Sequence, residues 1–521
     1  MSPSARDRTG GTPPPSRTRR KGTSTTMLTA DSAATTDTGP DELERVLDRA
    51  ASASATWSAA PDHERARALR RVADTLASAR DELVPVAHEE TGLPHGRLEG
   101  EVQRTAVQLR MFADLLEEGG HQRVVVDRAD PGFAPAPRPD LRRMLVPFGP
   151  VLVFAASNFP FAFSVAGGDT ASALAAGCPV VLKAHPGHPE TSQLTAGLVR
   201  SALREAGADE GVFNLISGVE PGVQALKDPR ITAAAFTGSL TAGRHLFDIA
   251  ASRPEPIPFY GELGSINPAV ATAEAVRERP DDIARGFTGS FTLGAGQFCT
   301  KPGLLLVPEG TDLPERLREL VEGVDDQRLL TTKVADAYEQ RLKELASTAG
   351  VRLLAGGEQT VHGSDRPEAG ASLFAVHARD FDGRAQTLLE ESFGPASIVV
   401  EYGSVEEALR VLSLLTGSLT ATVHTASSPT EGEDRDVRLL LDAVRPKVGR
   451  IVFDDWPTGV AVTAAQQHGG PYPSTTTPAH TSVGTAAVDR FLRPVAYQNT
   501  PERFLPSALR DAPAGSGNPA G

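Results

Sequence analysis

The sequence predicts an α/β protein built on a doubly wound parallel sheet. Four short apolar runs of strand length follow one another, separated by amphipathic or alanine-rich segments: VLVFAAS (151–157), PVVLKA (179–184), VFNLI (212–216) and ITAAAFTG (231–238). Runs that are apolar throughout are typical of strands buried on both faces, and strands that alternate with helices form parallel sheets. Such a sheet binds its ligand at the carboxyl ends of its strands, so we expect functional residues there.

Other regions complete the predicted fold. Helical spacing of apolar residues between Leu69 and Leu76, after a plausible cap at Pro61-Asp62, predicts an all-helical lead-in. A second strand–helix region contains GLLLVP (303–308), LEESFGPASIVVEY (389–402) and GRIVFDD (449–455). Two further segments, RPDLRRMLV (138–146) and AAVDRFLRPVAYQN (486–499), have the pattern of strands outside both cores.

Both ends of the chain are predicted to be tails. Residues 1–40 are rich in Ser, Thr, Pro, Gly and Arg, and they contain too few apolar residues to offset the entropy of ordering. The basic cluster at 17–21 is not followed by an apolar segment, so we expect no export signal. Residues 507–521 are expected to be a second, flexible tail because most of them have low complexity.

Bulk properties narrow the class of protein. A chain of 521 residues can form two or three packed units with a cleft between them. The formal net charge of -14 argues against a nucleic-acid partner, since phosphate binding needs a concentrated basic surface. The apolar runs are too short to span a membrane, so we expect no membrane partner. The only two cysteines, Cys178 and Cys299, cannot form a disulfide framework and fit a reducing cytoplasm.

Cys299 is the first candidate for chemistry. It stands in GAGQFCTKPG (294–303), where small neighbours let a substrate carbonyl and backbone N–H groups come close, as a nucleophilic thiolate requires. Taken alone, a single cysteine is more often an inert, small apolar residue. Its interpretation therefore depends on the other motifs.

Glu262 and Asn158 each follow an apolar run. Glu262 lies in PIPFYGELGSINP (256–268), where partial desolvation suits a carboxylate that activates water. Asn158, in AASNFPFAFS (155–164), ends the first run, and its amide is a neutral donor for an oxyanion. Taken separately, each is more often an ordinary loop residue, on the surface or in a turn.

Two further motifs are placed to bind a nucleotide. Lys183 ends the second run, where a doubly wound sheet presents groups to a ligand. FTGSLTAG (236–243) follows the fourth run and opens a helix, so the N–H groups of Gly238, Ser239 and Gly243 can receive a phosphate. This is not the GxGxxG fingerprint, and a strand-end lysine is commonly just a solvated terminus.

These pieces occur together in one order, and the chain from about residue 41 to about residue 506 resembles the aldehyde dehydrogenase superfamily. The segments that carry the resemblance are VPFGPVLVFAASNFPF, GCPVVLKAHPGHPETS, FTGSLTAG, GELGSINP, GQFCTKPG and EESFGP. The resemblance implies a hydrolytic enzyme in which Cys299 is the nucleophile, Glu262 the general base and Asn158 the oxyanion donor. It implies no metal, and it makes Cys178 a structural residue in a helix-to-strand turn.

The resemblance also implies a nicotinamide cofactor. Lys183 and Glu391 would bind its ribose hydroxyls, Phe393 would pack near the nicotinamide ribose, and Gly238, Ser239 and Gly243 would approach the pyrophosphate. Residues 41–127 and 147–261 would form the cofactor-binding domain and 262–480 the catalytic domain. Residues 128–146 and 481–506 would form an oligomerisation arm, as in a homodimer or homotetramer.

NADP is the expected cofactor, with NAD possible. NAD-preferring relatives commonly place a glutamate three residues after the strand-end lysine, where it binds the adenosine 2′-hydroxyl and repels a 2′-phosphate. Here that position is Pro186, flanked by His185 and His188, so nothing acidic opposes the phosphate. Alternatively these histidines are turn residues beside prolines.

The substrate is predicted less sharply than the reaction. WPTGV, QHGGPYPSTT and TSVGTAAVDRFLRPVAYQN resemble an NADP-type bacterial branch that includes 2-oxoglutaric semialdehyde (2,5-dioxopentanoate) dehydrogenase. Members of that branch also take medium- or long-chain aliphatic aldehydes, which is the alternative. The expected pocket residues are Phe159, Phe163, Phe298 and Trp456, with Phe154 and Phe161 open between pocket and core.

Two questions stay open from the sequence. A dicarboxylic semialdehyde needs a basic partner for its distal carboxylate, and the motifs do not identify one. A catalytically silent, cofactor-binding homologue is the competing class of function. It would be expected to lack Cys299, Glu262 or Asn158, and all three are present.

Overall fold

The computed structural model describes residues 37–357, 361–363 and 366–511. The helices are α1 (Pro40–Ala59), α2 (Asp62–Ser78), α3 (Arg80–Thr91), α4 (His95–Glu118), α5 (Gly168–Ala176), α6 (Pro189–Glu205), α7 (Val219–Lys227), α8 (Leu240–Ala251), α9 (Ala273–Glu278), α10 (Pro280–Thr292), α11 (Leu313–Glu322), α12 (Thr332–Ser347), α13 (Ala385–Leu388), α14 (Val405–Leu414) and α15 (Glu431–Val444). The strands are β1 (Val125–Asp127), β2 (Leu141–Pro147), β3 (Val151–Phe154), β4 (Val180–Lys183), β5 (Phe213–Ile216), β6 (Ala233–Thr237), β7 (Phe259–Glu262), β8 (Pro268–Ala271), β9 (Leu304–Pro308), β10 (Gln327–Arg328), β11 (Arg352–Ala355), β12 (Val361–His362), β13 (Glu368–Ala369), β14 (Ser372–His377), β15 (Ala396–Tyr402), β16 (Ser418–His424), β17 (Val448–Phe453) and β18 (Leu492–Gln498).

The predicted doubly wound parallel sheet is confirmed as a five-stranded sheet with the order β5–β4–β3–β6–β7. All of its neighbouring strands are parallel. Along the chain, the first strand of this sheet is the central strand β3. Strands β4 and β5 follow on one side of it, and β6 and β7 then follow on the other. The winding therefore reverses at β3, and the carboxyl ends of the strands around it are where open parallel sheets bind ligands.

Both faces of this sheet are covered, which explains why its strands are mostly apolar on both sides. Val151 and Val153 of β3 belong to one apolar cluster, to which residues of α1 to α6 contribute. Leu152 and Phe154 belong to a second cluster with residues of α1, α7 and α8. Successive residues of a strand point to opposite faces, so a sheet buried on both sides needs no polar alternation.

A second sheet has the order β11–β14–β15–β9–β8–β16–β17. All of its neighbouring pairs are parallel except β11 with β14. The strands predicted at 303–308, 389–402 and 449–455 are present as β9, β15 and β17. The sequence did not predict β8 or β16, because β8 is only the four residues PAVA and β16 (SLTATVH) mixes threonine with apolar residues.

A separate antiparallel sheet contains β1, β2 and β18. Strands β2 and β18 correspond to the strands predicted outside both cores, and β1 adds residues 125–127, which the sequence had placed in the preceding domain. A small antiparallel sheet of β10, β13 and β12 lies elsewhere. None of the described helices is both long and apolar enough to cross a membrane.

The two predicted tails need correction where the structure describes them. Residues 1–36 lie outside the described residues, and the first helix begins at Pro40, the last residue of the expected tail. At the other end, residues 512–521 lie outside the described residues, but residues 507–511 are folded. Leu509 is buried with Met144 and Leu505, and Asp511 forms a 2.7 Å ion pair with Arg142. An apolar and a charged residue thus find partners on the antiparallel sheet.

Candidate active site

Cys299 lies in a loop after α10 that has a tightly shaped backbone. Gly294, Ala295 and Gly296 have positive φ angles of 57°, 57° and 64°. A Cβ atom at Gly296 would lie 2.1 Å from the carbonyl oxygen of Gly394, so only glycine allows the two segments to approach. The glycines before the cysteine therefore bring its loop against the segment 391–396.

Glu262 is the last residue of β7, at the carboxyl edge of the five-stranded sheet. Its Oε1 atom lies 3.0 Å from Nε2 of His468, and the same ring nitrogen lies 3.5 Å from Sγ of Cys299. Its Oε2 atom accepts a 2.6 Å hydrogen bond from Oγ of Ser482. The structure thus brings Cys299 and Glu262 together around a histidine that the sequence did not single out.

Glu262 is a carboxylate although it is almost fully buried. Burial alone would raise the pKa of this carboxyl group. The charge and hydrogen bond of His468, with hydrogen bonds from Ser482 and Cys299, outweigh burial and leave the pKa below its ordinary value. The group is therefore able to accept a proton at neutral pH.

The thiol of Cys299 shows the opposite tendency. Burial, followed by the neighbouring charge of Glu262, raises the pKa of Cys299 well above its ordinary value. A resting thiol needs a base before it can attack a carbonyl, and the Glu262 carboxylate, to which the thiol donates a hydrogen bond, is suited to that role. The other cysteine, Cys178, is fully buried, and burial raises its pKa to about 11.

Asn158 is held next to the cysteine loop by two hydrogen bonds. Its Nδ2 atom donates over 2.9 Å to the carbonyl of Gln297, and its own carbonyl accepts from Arg97 over 2.7 Å. An amide nitrogen carries two hydrogens, so one remains available. The backbone N–H of Cys299 also has no partner among the described residues. Two donors are therefore free near Sγ.

Lys301 connects the cysteine loop to the segment that contains Glu391. Its buried ammonium donates to the carbonyls of Ser392, Gly394 and Ala396 over 2.6, 3.2 and 2.7 Å. Burial lowers the pKa of Lys301 to about 8. Burial also raises the pKa of Glu391 to about 7, against the opposing charge of Lys301. Glu391 and Phe393 are thereby held beside the cysteine loop.

The sequence analysis missed four residues of this site: His468, Ser482, Lys301 and Asn267. Asn267 has a φ of 49° and donates to the carbonyls of Cys299 and Lys301 over 2.8 and 3.0 Å. All four lie inside the motifs that carry the family resemblance, so a local signal was present. Sequence spacing alone does not show that the segment around residue 468 lies beside Glu262. An antiparallel bridge between Glu262 and Thr475 holds it there.

The residues predicted to bind a nucleotide lie at the ends of β4 and β6. The Lys183 ammonium has no hydrogen-bond partner among the described residues, and burial lowers its pKa. Gly238 and Ser239 are exposed ahead of α8, and Ser239 caps that helix. Gly243 is instead buried, and a Cβ there would lie 2.1 Å from Leu263. Gly243 therefore allows close helix packing rather than an approach to a phosphate.

The residues expected to select the cofactor occupy different depths. Pro186 is exposed in the turn after β4. Burial, then the charges of His188, Lys183 and Lys333, holds the pKa of His185 well below its ordinary value. His188 is fully buried, with Nε2 2.9 Å from the carbonyl of Ala156 and Nδ1 3.2 Å from Ser192. This corrects its expected role, because a ring with both nitrogens engaged in the interior supports the turn and does not reach a cofactor.

Three of the four predicted pocket aromatics form one cluster. The ring of Phe159 lies 5.3 Å from that of Phe163 and 5.2 Å from that of Phe298, edge to face in both cases. The ring of Phe163 lies 6.3 Å from that of His468. The cluster therefore forms an apolar wall beside the Cys299–His468 pair.

Trp456 does not join this cluster. Its ring packs 5.6 Å from Phe287 and 4.3 Å from His424. Gly286 on α10 makes room for it, since a Cβ there would lie 1.9 Å from Nε1 of the indole. Phe154 and Phe161, which the sequence left open between pocket and core, are buried in the core clusters.

The arrangement combines a thiol, a carboxylate base beside it, a histidine paired with that carboxylate, and two free N–H donors. These are the groups that acyl chemistry through a covalent thioester requires. A cavity of about 20 Å³ lined by Glu262, His468 and Ser482 has room for one water molecule. Thiolate, imidazole and carboxylate are also metal-ligand types, but here Glu262 and His468 are already paired with each other.

Comparison with known proteins agrees with this geometry. Residues 24–475 match the aldehyde dehydrogenase family. The chain is 44% identical to Alpha-ketoglutaric semialdehyde dehydrogenase 2 of Azospirillum brasilense, covering 90% of this chain and 89% of that one. It is 39% identical to Alpha-ketoglutaric semialdehyde dehydrogenase of Acinetobacter baylyi, covering 92% and 89%. A crystal structure of NAD-dependent aldehyde dehydrogenase from Sinorhizobium meliloti superposes with a TM-score of 0.73, at 25% identity and with 89% and 88% of the two chains covered.

The chain belongs to the aldehyde dehydrogenase family. It is an enzyme that oxidises an aldehyde with NAD or NADP, and the predicted fold class is confirmed.

Proposed function

We propose that the chain oxidises a semialdehyde to a carboxylic acid through a thioester on Cys299, which water activated by Glu262 then hydrolyses. The observation that carries the proposal is the contact series Cys299 Sγ, His468 Nε2 and Glu262 Oε1, with separations of 3.5 and 3.0 Å. A silent, cofactor-binding homologue would have no use for this series.

Glu262 removes the proton from Cys299 in this proposal. Because burial and Glu262 raise the pKa of the thiol, attack on a carbonyl requires proton transfer to a neighbouring base. The thiol donates a hydrogen bond to the Glu262 carboxylate, whereas Nε2 of His468 already carries the proton that it donates to Glu262 Oε1. His468, with Nε2 3.5 Å from Sγ, then stabilises the thiolate, and Glu262 passes the thiol proton to solvent before the hydrolytic step.

Asn158 and the backbone N–H of Cys299 stabilise the oxyanion that forms when the thiolate attacks. Each such donor contributes about 3 kcal/mol to lowering the barrier. Asn158 is preorganised because Gln297 and Arg97 fix its amide and its carbonyl. The bound nicotinamide supplies a hydride acceptor, which leaves an acyl group on Sγ.

Glu262 completes the reaction by activating water. Its pKa lies below the ordinary value, so it is ionised and can take a proton from a water molecule that lies between it and the thioester. That water attacks the thioester carbon, the C–S bond breaks, and the carboxylic acid leaves. The proton that Glu262 gains then returns to the thiol or to solvent.

The cofactor has a site that fits it at the ends of β4 and β6. Lys183 offers an ammonium without a partner among the described residues, Gly238 and Ser239 open α8, and Glu391 and Phe393 are held beside Cys299. We propose that these residues bind NAD or NADP, with NADP preferred. Pro186 supports that preference because it places no carboxylate after Lys183, and the charge of Lys333 acts on the same turn.

The proposed substrate is 2-oxoglutaric (alpha-ketoglutaric) semialdehyde or a related semialdehyde. The two relatives with 44% and 39% identity carry that substrate in their names. Medium- and long-chain aliphatic aldehydes are the alternative. The three-phenylalanine wall fits an apolar stem in either case.

The test is the rate of NADPH and NADH formation with a panel of 2-oxoglutaric semialdehyde, succinic semialdehyde and alkanals of matched length. We expect the highest kcat/KM with a semialdehyde and NADP. No turnover of any aldehyde, despite bound cofactor, would favour the silent homologue. His468→Gln should raise the pKa of Glu262, lower kcat and move its acid limb to higher pH, whereas an unchanged pH profile would contradict the role of His468 in keeping that carboxylate ionised.

We also propose that the protein acts as a cytoplasmic homo-oligomer assembled through its antiparallel sheet. Two unpaired cysteines support a reducing compartment. Val124, Val125 and Val126 are exposed next to or within the edge strand β1, which suits pairing with a second copy. Light scattering of wild type and Val125→Lys tests this, and an unchanged assembly in the variant argues against the surface.

A further inference from the structure

Arg104 of α4 stands on the aromatic wall that leads to the thiol. Its guanidinium carbon lies 5.4 Å from the centre of the Phe163 ring and 6.0 Å from that of Phe159. Phe163 lies 6.3 Å from the ring of His468, which contacts Cys299. The charge is therefore part of the surface along which a substrate would lie.

This guanidinium lacks partners within the part of the chain that the structure describes. Its Nε and Nη2 atoms are buried without a hydrogen-bond partner. Glu101, one turn earlier on the helix, supplies a nearby negative charge, but its Oε1 accepts hydrogen bonds from the backbone N–H groups of Phe161 and Ala162, and its Oε2 forms no hydrogen bond to Arg104. Burying donors of a cation without acceptors is costly, so the site is suited to an anion that arrives with a ligand.

Two other arginines near the site are already engaged. Arg97 donates to the carbonyl of Asn158 over 2.7 Å and so helps to hold the oxyanion donor. Arg450 donates to the carbonyls of Gly459 and Pro457. Each of them therefore has a structural task, although one nitrogen of each, Nη1 of Arg97 and Nε of Arg450, is buried without a partner among the described residues. Arg104 has two such nitrogens and no backbone carbonyl to hold, so it is the guanidinium with the most donors available for a ligand.

We propose that Arg104 binds the distal carboxylate of a semialdehyde while its aldehyde group lies at Cys299. This inference rests on the proposed oxidation at Cys299 and names its specificity determinant. The planar guanidinium presents paired N–H donors that match a carboxylate, whereas the end of an alkanal offers no acceptor. In a four- or five-carbon semialdehyde the aldehyde carbon and the carboxylate carbon are roughly 4–5 Å apart, given C–C bonds of ~1.5 Å. The charge of Arg104 also acts on Cys299 and Glu262, which places it within electrostatic reach of the reacting groups.

The test compares succinic semialdehyde with butanal, which differ only in the distal carboxylate. In Arg104→Met, kcat/KM for succinic semialdehyde should fall about 10- to 100-fold, mainly through KM, while kcat/KM for butanal stays the same or rises. Arg104→Lys should retain part of the preference because it keeps the charge but not the fork. Succinate should also inhibit the Met variant more weakly than wild type.

Arg110→Met is the matched control, because Arg110 lies on the same helix but pairs with Asp74 at the surface. It should leave both substrates unaffected. Equal losses for the two substrates in Arg104→Met, or no loss for either, would overturn the assignment. If the Met variant does not fold, the ratio of kcat/KM for succinic semialdehyde to kcat/KM for butanal in Arg104→Lys and Arg104→Gln decides the question. Absence of turnover by wild type with either aldehyde would instead reject the proposed oxidation itself.

Discussion

Two carboxyl groups act on the Cys299 thiol, and the protein treats them differently. Glu262, at the end of β7, is almost fully buried, yet its pKa is below the ordinary value, since His468 and Ser482 outweigh the effect of burial. Glu391, in the segment held by Lys301, has no such hydrogen-bonding set, and burial raises its pKa to about 7. Burial has the same sign in both places. The difference comes from the donors that each carboxylate receives.

This contrast in pKa indicates that the two glutamates have different roles. An ionised carboxylate beside a water-sized cavity is suited to accept a proton. A carboxyl group that titrates near neutrality, beside the expected cofactor position, is suited to bind a hydroxyl. Environments that push two carboxyl groups apart in pKa are a general sign of divided roles. The following predictions test that division, from the largest expected effect to the smallest.

Removing the thiol should have the largest effect. Cys299→Ala should lower aldehyde oxidation by about 10⁴-fold or more, because no covalent intermediate forms. Cofactor binding, followed by fluorescence titration, should be unchanged. Aldehyde oxidation at the wild-type rate in this variant would mean that another residue is the nucleophile.

Replacing the low-pKa carboxylate should stop the cycle halfway. Glu262→Gln should slow both proton transfers, and hydrolysis more than attack because the thiol can also lose its proton to solvent. It should therefore give a burst of reduced cofactor close to one per active site, slower than in wild type, followed by a steady-state rate lowered by about 10²- to 10⁴-fold. Stopped-flow absorbance measures both phases. A variant that turns over without a burst at the normal rate would contradict the assignment of the base.

Glu391→Gln is the matched substitution on the other side of the comparison. We expect a KM for the cofactor raised by about tenfold, through weakened hydrogen bonding to the charged group, and no accumulation of acyl-enzyme. Isothermal titration separates cofactor binding from turnover. If this variant instead stalled after a burst, the two glutamates would have to exchange roles.

The two carboxyl groups should also differ in pH dependence. Glu391 is protonated below its pKa of about 7 and ionised above it, so cofactor affinity should strengthen as pH rises through 7. Glu391→Gln should abolish that change. Glu262 should contribute none there, because its lowered pKa keeps it ionised throughout this range. Cofactor titrations between pH 6 and 8 test both statements.

The smallest effect is expected at Ser482. Ser482→Ala removes the 2.6 Å hydrogen bond to Glu262, so the pKa of Glu262 should rise and the acid limb of kcat should move to higher pH. At neutral pH we expect a loss of about two- to tenfold, of the order of one hydrogen bond to a charged group. An acid limb that does not move would mean that His468 alone holds the carboxylate ionised.

Most of the fold was predictable from local pattern. Strands β3 to β6 are short and mostly apolar without alternation, which is typical of strands that are buried on both faces. The Lys183 and Gly238 motifs follow those strands directly, so their place at the carboxyl edge also came from sequence order. Strands such as β16, with threonines among apolar residues, carry no comparable signal.

Only the principal residues of the candidate site could be predicted from the sequence. Cys299, Glu262 and Asn158 stand in glycine-bounded motifs, and the structure brings their loops together. Trp456 and His188 are placed otherwise than expected, because neighbouring side chains, not their own segments, set how they pack. An aromatic or a histidine beside a strand has the same local sequence whether it faces a cleft or the core.

The sequence by itself determined the class of fold, the nucleophile, the acidic residue and the family that these motifs indicate. Tertiary structure decided what surrounds them. His468 and Ser482 lie more than 200 positions from Glu262 in the chain, and their hydrogen bonds set its pKa. Arg104 reaches the same cleft from a helix that no motif connected with it. Local pattern reports which faces are buried, but a proton's position depends on distances between segments, and only the folded chain sets those distances.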